Sequence, residues 1–90
     1  MDERMCQEVR ECALRLLSRR EHSTHELALK LHQRGYAPCV VEVIIAELAR
    51  ERWLSDERYA AALVYSRRKQ GYGPLRIRAE LRHHRVDEAL

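Results

Sequence analysis

Apolar side chains return every three or four positions along nearly the whole chain, and no segment alternates long enough to make a strand, so the pattern predicts an all-α protein. A first helix runs from about Arg4 to Arg20, with Cys6, Val9, Ala13, Leu16 and Leu17 on one face. Ser23 follows, with Glu26 three residues on. A hydroxyl that accepts from the orphan amides and an acid reaching back make the capping-box pattern of a second helix. That helix turns Leu27, Ala28 and Leu31 inward and stops at Gly35, a residue that tolerates the left-handed backbone of a helix end. Pro38 opens a third helix reaching about Arg52, since its missing amide is unpaired in a first turn anyway. Val41, Ile44, Ile45 and Leu48 form its stripe, and Val40 and Val43 widen the arc, which predicts the most buried element of the fold.

Beyond Trp53-Leu54, Ser55 caps a fourth helix whose first turn carries Asp56 and Glu57, acids that complement the positive end of the helix dipole. It extends to about Gln70 and buries Tyr59, Ala60 and Leu63. Gly71-Tyr72-Gly73 breaks it, and Pro74 opens a fifth helix carrying Ile77 and Leu81 to about His84. Asp87 then reads as the cap of a sixth helix.

An offset of 50 positions sets Val9 on Tyr59, Ala13 on Leu63, Leu27 on Ile77 and Leu31 on Leu81, and brings the caps Ser23 and Gly73 together. The expectation is a tandem three-helix repeat of helix-turn-helix-like units, residues 1–54 and 55–90, the second truncated at its C-terminus.

Charge sharpens the picture. Between Arg58 and Arg85 stand eight basic residues against the single acid Glu80, a surplus of seven, and since the chain as a whole carries +3 the remainder sums to −4. This segregation points the second half at an anionic partner, nucleic acid or an acidic protein surface. With 46% hydrophobic and 34% charged residues, the chain is predicted to be globular and soluble. No apolar run approaches a membrane span or a secretory signal, so the expected location is cytoplasmic, with no membrane partner. Cys6, Cys12 and Cys39, odd in number and without a CxxC pair, read as free thiols.

No catalytic constellation emerges, and neither cofactor, metal nor small-molecule substrate is expected. Gly71-Tyr72-Gly73 lacks the preceding strand and the lysine of a phosphate loop. His25 and His32 share a helical face but stand two turns apart, and with His22, His83 and His84 they read as surface histidines. Glu42 and Glu47 read as solvated rather than paired for acid–base work. The second and third helices have helix-turn-helix proportions, yet the third offers Cys39, Glu42, Ala46, Glu47 and valines where base reading needs Arg, Asn or Gln. In the basic half, Arg67, Arg68 and Lys69 also complement the negative end of the fourth helix, whereas Arg76, Arg78, Arg82 and Arg85 have no such explanation.

Arg20-Glu21-His22-Ser23, Glu26-Leu27, Lys30-Leu31 and Gly35 resemble the first repeat of the RecX regulatory family. Leu54-Ser55-Asp56-Glu57-Arg58-Tyr59-Ala60, Arg67, the Gly71/Gly73 turn, Ile77 and Glu80-Leu81 are similar to its second. The resemblance implies an elongated, curved body of three-helix repeats, usually three, of which this chain holds one and most of another. It implies a non-enzymatic protein that lodges in the groove of the RecA filament on single-stranded DNA and inhibits RecA recombinase, ATPase and co-protease activities. Arg67, Arg68, Lys69, Arg76 and Arg82 are then the candidate contacts. The alternative is a sequence-tolerant DNA-binding protein acting through its basic second half.

Overall fold

The computed structural model describes residues 2–86. Five helices follow one another: α1 (Glu3–Arg19), α2 (Thr24–Gln33), α3 (Pro38–Arg50), α4 (Asp56–Lys69) and α5 (Pro74–His83). No strand occurs among the described residues. The expected helix capped by Asp87 lies outside them.

Local chemistry sets the boundaries. Asp2, Ser23 and Ser55 accept the amides of Arg4, Glu26 and Arg58 respectively, while Pro38 and Pro74 open their helices without a side-chain cap. The repeat is visible in these limits: α1 and α4 end 50 residues apart, and α2 and α5 both begin and end 50 residues apart. Even the helix stops correspond. Gly35, after α2, has φ +88°, and Arg85, its counterpart after α5, adopts φ +57° despite carrying a side chain.

In the first unit α3 packs on both α1 and α2. Val9, Cys12, Ala13, Leu16, Leu27, Leu31 and the α3 residues Val40, Val41, Ile44, Ile45 and Leu48 form one core, closed by Leu54. Val43 departs from expectation and is exposed, because the buried arc of α3 runs from Val40 through Ile45 and Val43 projects beyond its edge. The second unit has a smaller core of Tyr59, Ala60, Leu63 and Val86, with Leu81 packed against it, and Ile77 of α5 is buried as expected.

Charged hydrogen bonds join the units. Thr24 N–H, at the start of α2, donates to Asp56 Oδ1 at 2.7 Å, so an acid of α4 caps a helix of the other repeat. Arg58 donates through Nε to Glu21 Oε2 and through Nη2 to the Arg52 carbonyl, both at 2.8 Å. The Ser55–Tyr59 string therefore caps its own helix, caps its neighbour and ties the two together. The resulting body measures 45 × 22 × 19 Å.

Candidate functional site

The basic half is built on the last turn of α4, the turn Gly71–Gly73 and α5. Arg67 forms a two-pronged pair with Glu80 of α5, Nε to Oε2 at 2.8 Å and Nη2 to Oε1 at 2.7 Å. Both side chains are about one-quarter exposed. The hydrogen bonds from Arg67 hold the Glu80 carboxyl below its ordinary pKa. This pair closes α4 on α5 and occupies the guanidinium of one of the five candidate contacts.

The other candidates are exposed but divide into two groups. Arg76 stacks on the Tyr72 ring at 4.0 Å, with Arg67 at 5.8 Å from the same centroid. Arg68 instead lies between two adjoining clefts of α4 and α5, one with Tyr65 and Lys69, the other with Tyr72 and Arg78. Lys69 Nζ sits 5.0 Å from the Tyr65 ring. Arg82 stands within about 40° of Arg78 around α5, roughly 120° from Arg76. Arg68, Arg76 and Arg78 thus stand around Tyr72, whereas Lys69 stands against Tyr65 and Arg82 lies further along α5, so the exposed cations do not gather into one patch.

His22 differs from expectation most clearly. It is only 2% exposed, held at the entrance to α2 between the Arg20 carbonyl, 3.0 Å from Nδ1, and the Lys30 ammonium, 2.9 Å from Nε2. A carbonyl can only accept and an ammonium only donate, so Nδ1 carries the hydrogen and the ring is neutral. Burial pushes its pKa below 6.5. Its role is structural, and only its place next to the Ser23 cap could have signalled this. Arg20, itself exposed, pairs with Glu26 at 2.7 Å and lines a cleft between the units with Tyr59, Arg67, Glu80 and His84. Burial raises the Tyr59 phenol to about 12.

Elsewhere Glu47 pairs with Arg10 at 3.3 Å, so it is not simply solvated. Cys6, Cys12 and Cys39 are free, and the described residues contain no cluster of three or more His, Cys, Asp or Glu side chains fit to hold a metal. No described helix is long and apolar enough to cross a membrane. The outward side of α3 presents Cys39, Glu42, Val43, Ala46 and Ala49, with Arg50 at its last position, a poor set for reading base edges.

A three-helix unit, followed at an offset of 50 residues by two further helices and joined to them by a polar elbow, defines a helical-repeat protein whose second half is basic. Within that class, the chain belongs to the RecX family. Residues 10–48 match the profile "RecX, first three-helix domain" and residues 55–90 the profile "RecX, second three-helix domain". The chain is 51% identical over 75 residues to "Regulatory protein RecX" of Xanthomonas campestris pv. campestris strain B100, covering 83% of this chain and 46% of that one. With the protein of the same name from Halorhodospira halophila it shares 46% over 82 residues, 91% of this chain and 51% of the other. The chain thus spans about half the length of the curated relatives it matches.

Proposed function

We propose that this chain is a non-enzymatic, cytoplasmic regulator that binds the RecA filament on single-stranded DNA and inhibits its recombinase, ATPase and co-protease activities. The observation that carries the reading is the 51% identity to "Regulatory protein RecX", which extends over 83% of the chain. The elongated body and its basic second unit support it, because such a shape can meet a filament groove through several modest contacts at once. Arg68, Lys69, Arg76 and Arg82 are the proposed contacts, and Arg67 contributes by holding α5 in place as well as by its charge.

The test is the rate of single-strand-dependent ATP hydrolysis by RecA as the chain is titrated in, with co-sedimentation on filaments. Slower hydrolysis and recovery in the filament pellet are expected. An unaltered rate with no co-sedimentation at saturating concentration overturns the reading. A second reading, direct sequence-tolerant DNA binding, is favoured by the surplus of positive charge between Arg58 and Arg85, and predicts affinity for DNA alone that falls steeply with salt.

A further inference from the structure

We infer that the outer face of α4 and the turn after it form a stacking platform for unpaired bases of single-stranded nucleic acid, with Tyr65 as the principal stacking ring and Arg68, Lys69 and Arg78 on the phosphates. Tyr65, Arg68 and Lys69 are spaced i, i+3, i+4 near the end of α4, which puts an aromatic and two cationic side chains along one side, and Tyr72 follows in the turn after the helix. Tyr65 is 66% exposed, and Lys69 stands against its ring. An aromatic ring left this open, beside cations and over the Val64–Leu81 cleft floor, offers a π-face that any base can cover. Tyr72 is already fixed by Arg76 at 4.0 Å and so presents a rigid edge to the second cleft, where Arg78 stands.

Electrostatics favour a polyanion. The one acid in the Arg58–Arg85 stretch, Glu80, is taken up by Arg67, and against Glu57 in the first cleft stand Arg68 and Lys69, with Arg78 in the second. A duplex would leave the Tyr65 ring idle, because paired bases keep their faces stacked on one another; a single strand does not. The inference deepens the proposed function and rests on it for the strand's setting, but it is tested without RecA.

Binding of fluorescent oligothymidylate to the whole chain is measured by anisotropy against a hairpin duplex and against polyglutamate. Tighter binding to the single strand is expected, with a log–log salt slope of about −2 for three phosphates neutralised. Tyr65→Ala should weaken single-strand binding about 5- to 150-fold while Tyr65→Phe, which keeps the ring, retains it. The thermal midpoint of both variants, whose substitution is on the surface, shows that the fold persists. Equal affinity of Tyr65→Ala and the parent, equal affinity for duplex and single strand, or stronger capture of polyglutamate each overturns the inference, the last making the face a site for acidic protein. Failure to slow RecA with oligothymidylate binding intact would instead overturn the regulatory reading alone.

Discussion

Asp56→Ala tests the joint between the units. Its carboxylate accepts the first amide of α2 at 2.7 Å, while Ser23 takes the amide of Glu26 two residues further on. Deleting it leaves a part-buried N–H without an acceptor. A lost cap costs roughly 0.5–2 kcal/mol, and a hydrogen bond to a charged group lies at the upper end or beyond. Asp56 also sits in the first turn of α4, where an acid contributes about 0.3–1 kcal/mol through the helix dipole. The expected total is about 2 kcal/mol. Glu57→Ala supplies the control, because Glu57 shares that first turn and is exposed; it should cost under about 1 kcal/mol. Urea unfolding at neutral pH measures both, and hydrogen exchange of the Thr24 amide reports the bond itself. If Asp56→Ala costs no more than Glu57→Ala and the Thr24 amide exchanges no faster, the cross-repeat cap contributes nothing and the account of the joint is wrong.

Three other predictions address the remaining contacts. Leu31→Ala and Ile44→Ala each open a cavity in the first core and should cost roughly 2–5 kcal/mol; losses below about 1 kcal/mol at both would mean the core face is misassigned. His22 has a folded pKa below its ordinary 6.5, so the unfolded chain takes up a proton first as pH falls. Stability should be full above about pH 6.5 and decline as the pH drops below it, before the carboxylates held below 4.5 by arginines contribute their own acid loss. Thermal midpoints between neutrality and pH 5 check this, and an identical decline in His22→Gln refutes it. Glu80→Gln and Arg67→Ala should each lower the thermal midpoint, with the double substitution adding little; full additivity would show that the pair does not couple.

Helices, caps and the repeat were legible because each depends on neighbours close in sequence. Ser23 and Ser55 cap amides three residues away, and the core stripes follow the helical period. What lay beyond reading were partners brought together by folding. Asp56 read as an acid for its own helix dipole, but it reaches an amide 32 residues earlier. His22 read as a surface histidine because nothing local reveals a ring clamped between a carbonyl and an ammonium eight residues on. Arg67 read as a free contact, although Glu80, the lone acid among eight bases, was a signal that one arginine would claim it. The mutual placement of the basic residues was equally hidden, since the turn from α4 to α5 decides which of them share a side of Tyr72.

The two cores differ greatly in size, and this makes the molecule mechanically uneven. The interior shared by α1, α2 and α3 buries a dozen side chains, whereas the second unit buries five among the described residues. Amides of the C-terminal pair should therefore exchange through partial opening while the N-terminal triplet stays shut. The softer pair also bears the charged surface, so any polyanion gripping it would stiffen the half with most freedom to lose. Part of the binding free energy would then appear as slowed opening far from any contact.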